Sequence, residues 1–139
     1  MSLTCLVRIA TAAGIAAAYS VAAAQSLDFE IYKTRVEPIF FKPREGHARC
    51  VVCHAESNNT FRLQAWGPQT KAFTEEQSRQ NFQMVSKLVV PGNPERSILL
   101  RHPLANEAGG DESHSGGRQF LTKSDPDWQT IAAWVRGVR

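Results

Sequence analysis

Two cysteines, set two residues apart and followed at once by a histidine, constrain this chain more than any other stretch: Cys50-Val51-Val52-Cys53-His54. The third cysteine, Cys5, lies in a segment with the layout of an export signal. Arg8 gives a short basic start, Ile9–Ala18 is a run of small apolar residues, and Ala22-Ala23-Ala24 precedes Gln25 as an A-x-A cleavage site. The apolar run is too short and too rich in alanine for a membrane span. Residues 1–24 therefore read as a cleaved secretory signal peptide, and residues 25–139 as one exported domain, periplasmic or extracellular, with no membrane span in the mature chain.

That length excludes a large or multidomain enzyme. The formal charge is +3 for the whole chain, one less without Arg8, and this mild balance in an exported protein argues against nucleic acid as a partner. In an oxidising compartment two cysteines usually form a disulfide. The histidine after Cys53 changes the reading, because C-x-x-C-H is the attachment pattern of haem c. Two thiols add across the two vinyl groups of the porphyrin, and the short spacing lets both reach one edge of it. The next residue then turns its imidazole to the iron, so His54 is the expected proximal ligand. Two alternatives use the same residues. A dithiol redox motif wants a thioredoxin-like βαβ context, which the chain lacks. A zinc site needs two more ligands, and beyond His47 the fourth would be remote.

The rest of the chain reads as all-α, three to four helices with long loops around one covalent haem. Residues 26–41 form the first helix, capped by Ser26 or Asp28, with Phe29, Tyr32, Val36 and Phe40 on one face and Pro38 kinking or ending it late. Thr74-Glu75-Glu76-Gln77 is a capping box, opening a helix over roughly 75–89 that turns Phe82, Val85 and Val89 inward and ends before Pro91-Gly92. Ser97–Arg101 reads as a short helical turn ahead of Pro103. Residues 105–118 carry four glycines and few apolar side chains, a long loop. Asp125-Pro126 opens the last helix, with Trp128, Ile131, Trp134 and Val135 on its apolar face and Gly137 at its end. Long loops thin the core, so the apoprotein is expected to be poorly folded.

Several segments together resemble one family. Val36-Glu37-Pro38-Ile39-Phe40, Cys50–His54, Val90–Ser97 and Ile131-Ala132-Ala133-Trp134-Val135 are similar to small exported monohaem c-type cytochromes of the acidobacterial and planctomycete type. The resemblance implies a cytochrome c-like fold, one covalent haem c, electron transfer rather than enzymatic catalysis, and a redox partner protein met through a small transient interface. Many of those relatives place a Met-Pro type distal ligand before the last helix, but this chain has no methionine after Met84. The corresponding stretch begins at His114, where neighbouring glycines let the backbone approach closely, so His114 is the expected sixth ligand and the iron is expected to be bis-His. His102, Met84 or an open position are the alternatives, and His47 lies too near Cys50 to cross to the other face. An open position would make the protein a haem sensor or a peroxidase-like enzyme with an exchangeable sixth ligand. A haem subunit of a larger exported complex is a third reading. Arg49, Arg62, Arg96, Arg101 and Arg118 are candidate partners of the propionates, or solvated charges. Trp66, Trp128 and Trp134 are candidate porphyrin contacts, with core packing the plainer role of the last two. Glu107, Asp111 and Glu112 read as a flexible acidic loop, without the ordered spacing of a calcium site.

Overall fold

A computed structural model describes residues 26–67 and 70–138; the stretch 1–24, read above as a signal peptide, and Cys5 within it lie outside them. Among the described residues the architecture is all-α, with isolated β-bridges and no strand. The first helical segment, 29–41 (α1), changes its winding along its length. It opens as an α-helical turn, Phe29–Ile31, with Asp28 accepting the Ile31 N–H at 2.9 Å. It widens to a π turn over Tyr32–Val36, closed by the Glu37 N–H on the Tyr32 carbonyl, and tightens to a 3₁₀ turn over Glu37–Phe41. The cause is Pro38, which has no N–H to donate and crowds the carbonyl four residues back. The expected kink is thus spread over two changes of pitch.

The motif forms its own short helix, α2 (Cys50–His54). Helix α3 (Glu75–Ser86) starts with the expected capping box, Thr74 and Gln77 bonding reciprocally. It stops three residues earlier than the spacing suggests; beyond it the Leu88 carbonyl accepts the Leu99 N–H at 3.1 Å and the Val90 N–H donates to the Ser97 hydroxyl at 2.9 Å. Helix α4 (Ile98–Arg101) is the short turn before Pro103, and α5 (Pro126–Val135) is the last helix. Gly137, at φ +72°, ends α5 by directing the Gly137 and Val138 N–H groups to the carbonyls of Trp134 and Ala133.

The core forms where α1 crosses α5. Tyr32 packs on Trp134 with ring centres 5.6 Å apart, and both are fully buried. The Trp134 indole donates to the Asp28 carbonyl at 2.9 Å, and the Trp128 indole to the Leu100 carbonyl at 3.3 Å. Each ring thereby contributes its apolar area and finds a partner for its one donor. The inner face of α3 departs from expectation: Ser78, Asn81 and Val85 are buried, while Phe82 is half-buried. The polar pair turns inward because Glu37 of α1 is buried opposite it, its carboxyl accepting the Ser78 hydroxyl at 2.7 Å. Among the described residues no helix is long and apolar enough to cross a membrane.

Asp125 caps α5, accepting from the Asp127 and Trp128 N–H groups, and pairs with Arg44 at 3.0 Å. Partial burial acts to raise its carboxyl, but the Arg44 guanidinium and the helix N–H groups outweigh this and hold it below the usual 3.8. Asp125→Ala is expected to cost about 1–2 kcal/mol in urea unfolding, the range of a lost N-cap. Because the folded value is depressed, the carboxylate's contribution is complete above the usual value. It is lost as pH falls through the folded value, so wild type and variant should converge in stability there.

Candidate functional site

Helix α2 forms one wall of a largely apolar cavity of about 340 Å³. Ile39 and Phe40 of α1, Leu99 of α4, Phe120 ahead of α5 and Ile131 of α5 supply apolar wall. Cys50, Cys53 and His54 enter from α2, and His102 and His114 from the second half of the chain. The sequence-derived set Cys50, Cys53, His54 and His114 therefore meets at one cavity. Cys50 and Cys53 are both free, Cys53 at the exposed edge. Burial pushes the Cys50 thiol up to about 11, opposite to the depressed thiols of dithiol redox catalysts.

The loop after α2 holds His54. Its neck is closed by the Leu63 N–H on the His54 carbonyl at 2.8 Å and the Glu56 N–H on the Leu63 carbonyl at 2.9 Å. Inside it the Phe61 carbonyl lies 2.8 Å from His54 Nδ1, and the Phe61 ring lies 4.3 Å from the imidazole. A carbonyl only accepts, so Nδ1 carries the proton and Nε2 keeps its lone pair for a metal. Trp66 steadies the start of α2: its indole donates to the Val51 carbonyl at 3.1 Å, and the Arg49 guanidinium sits over its ring.

The glycine-rich stretch is a closed loop rather than a flexible acidic one. Ala105 N–H donates to the Phe120 carbonyl at 2.8 Å and Phe120 N–H to the Pro103 carbonyl at 3.2 Å. The Arg118 guanidinium clamps this neck, donating to the carbonyls of His102 and Leu104 and to Asn106 Oδ1. Asp111 pairs with Arg101 at 2.7 Å and with His102 Nδ1 at 3.3 Å. Arg101 and Arg118 are thus engaged within the protein, and Asp111 is not a free ligand for calcium. His114 sits near the far end, its Nδ1 donating to the Gly117 carbonyl at 2.6 Å, which again leaves Nε2 free. Burial, aided by the nearby His102 and His54, lowers the His114 imidazole below its usual value and favours the neutral, ligating form.

The His54 and His114 rings stand 6.4 Å apart, 22° from parallel. Two imidazoles on opposite sides of one metal ion, each nitrogen about 2.0 Å away, set their ring centres about 6 Å apart. Among the described residues no group of three or more His, Cys, Asp and Glu side chains forms an ion cage. Cys50, Cys53, His54 and His114 are the side chains at this cavity that could hold a cofactor bringing its own metal. His102 lies 5.0 Å from His114 with its ring nearly perpendicular. Met84 is on α3 beside Lys87, and His47 packs against Gly117; neither lines the cavity. No tryptophan lines it either, and Trp128 and Trp134 are core residues.

Three contributors escaped the sequence. The Phe61 and Gly117 carbonyls carry no side-chain signal. Gln119, nearly buried, bridges the carbonyls of Ala48 and Gly116 and so joins the His114 loop to the segment before α2. Comparison with family models, characterised proteins and solved structures finds no match for this chain.

The loop neck gives a direct test. A Cβ on Gly110 would fall 1.9 Å from the Leu104 carbonyl oxygen, whereas one on Gly46 meets nothing within 4 Å and only strains a backbone at φ +71°. Gly110→Ala is expected to cost roughly 2–3 kcal/mol in urea unfolding. Gly46→Ala is expected to cost about 1 kcal/mol. Equal losses would count against a crowded neck.

Proposed function

We propose that the protein is an exported electron-transfer protein with a cytochrome c-like fold and one covalent haem c. Cys50 and Cys53 would hold the group through thioethers, and His54 and His114 would ligate its iron. One observation carries the reading. Two imidazoles, each with Nδ1 tied to a backbone carbonyl, border one apolar cavity with ring centres 6.4 Å apart, beside two free thiols in a C-x-x-C-H stretch.

When bound, the haem supplies a one-electron couple. The chain's own residues set the conditions for it. The Phe61 and Gly117 carbonyls keep each imidazole in one tautomer and orientation, so neither ligand needs to turn when the charge changes. Ile39, Phe40, Leu99 and Ile131 keep water from the group, which limits solvent reorganisation. Two imidazoles hold the potential below that of a His/Met pair. Exposed Val52 and Cys53 leave the attachment edge open to a partner redox protein. His102 beside His114 favours a second reading, a sensor or peroxidase-like enzyme in which His114 leaves and the sixth position takes a small ligand.

Visible spectra of the matured protein test this. The reduced wild type should give a sharp α band that carbon monoxide leaves unchanged. His114→Ala should lose that band or become sensitive to carbon monoxide. A wild type that binds carbon monoxide at once supports the second reading, and an unaltered His114→Ala spectrum removes His114 as ligand. The Cys50→Ala/Cys53→Ala double variant should lose covalent haem. Its far-ultraviolet circular dichroism should show reduced helix content, because the cavity walls then face an unfilled space.

A further inference from the structure

Glu37 lies outside the ligand set, yet it is the most confined acid among the described residues, 4% exposed. Its surroundings are polar but incompletely matched. From α3, Ser78 donates to Oε1 at 2.7 Å, while Oε2 has no partner. Tyr32 Oη and Asn81 Nδ2 are also buried without a partner; both groups favour the charged form of Glu37 without closing a hydrogen bond to it. Lys33 of α1 is a cation whose field favours the charged carboxyl, and its ammonium is engaged at the surface by Glu75 of α3. From α5 the packed neighbour of α1 is Trp134, which carries no charge. Burial dominates this balance and raises the Glu37 carboxyl.

The cluster is joined to the cavity by packed rings. Tyr32 lies 6.4 Å from Phe40, Phe40 5.3 Å from Phe61, and Phe61 4.3 Å from His54. Ile39 and Phe40, within three residues of Glu37 on α1, line the cavity itself. Apolar packing rather than water therefore separates the carboxyl from the site, and charges are weakly screened across such a medium.

We propose that Glu37 is the redox-linked proton site of this protein: when one electron enters the cavity site, one proton from solvent binds the Glu37 carboxylate. The inference rests on the electron-transfer reading above. The balance is simple. A one-electron donor protein, or dithionite in the laboratory, is oxidised and the iron is reduced. One O–H bond forms on Glu37, and no bond of the protein breaks. The added negative charge at the site makes a nearby carboxylate less favourable, so reduction raises proton affinity. The potential must then fall as pH rises, in the window between the oxidised-state and reduced-state values of the carboxyl, and level off outside it.

Potentiometric titration of the holoprotein over about pH 5–9 tests this, with Glu37→Gln beside wild type. Glutamine keeps the shape and the Ser78 hydrogen bond but holds no titrating proton. Wild type should fall by at most about 59 mV per pH unit, the tenfold proton dependence of a one-electron couple. Glu37→Gln should be flat in that window with an unchanged α band. The same slope in both proteins, or a flat wild type, overturns the proposal. Should the variant not fold, reduced-minus-oxidised infrared difference spectra of wild type decide. A carboxylic C=O band that grows on reduction and shifts in D₂O is expected, and its absence overturns the assignment. Failure of the electron-transfer reading looks different: neither protein would show haem bands or a one-electron couple, and both proposals would fall together.

Discussion

The Phe61 and Gly117 carbonyls each accept a hydrogen bond from Nδ1–H of one cavity histidine, at 2.8 Å for His54 and 2.6 Å for His114. The rest of the site depends on these two contacts. A histidine ligates well only when its second nitrogen is held, because that bond selects the tautomer and aims the ring. Both carbonyls lie in loops, so the burden of precision falls on the loop necks. The bridge between Ala55 and Leu63 closes one, and the bridge between Leu104 and Phe120, with the Arg118 clamp, closes the other. Loops closed in this way hold the two imidazoles at the rim of the cavity between them.

The helices serve this arrangement by joining distant parts of the chain. Trp134 of α5 bonds to the carbonyl of Asp28, the cap of α1, and Arg44 reaches Asp125 and Asp127 at the other end of α5. The last helix is thereby tied to the first segment at one end and to the approach to the C-x-x-C-H stretch at the other. The altered winding of α1 belongs to the same economy of space. It lets Ile39 and Phe40 line the cavity while Tyr32 and Glu37 face α5 and α3. One short segment supplies a cavity wall, an aromatic core contact and a buried acid.

Much of the local structure was legible in the residues. Asp28, the Thr74–Gln77 box, Asp125-Pro126 and Gly137 act where their chemistry indicates, because caps and breakers work through near neighbours in the chain. The inner face of α3 was not legible. Phe82, Val85 and Val89 gave the apolar spacing, but Ser78 and Asn81 are buried because a carboxyl from α1 faces them. The acidic loop misled for a similar reason. Asp111 reads as a solvated charge until Arg101 and His102, ten and nine residues away, are brought beside it.

The residues alone bound the chemistry: a C-x-x-C-H stretch, an all-α pattern and a histidine standing where no methionine is available. The pairing across the cavity was a matter for the folded chain. His54 and His114 are sixty residues apart in sequence and 6.4 Å apart in space, and no local rule relates them. Backbone carbonyls orient both rings, and every residue has one. Which carbonyl meets which imidazole follows from loop closure and packing, not from residue type. The same holds for Glu37, an ordinary acid in the sequence, which becomes a buried one only when α1 and α3 close over it.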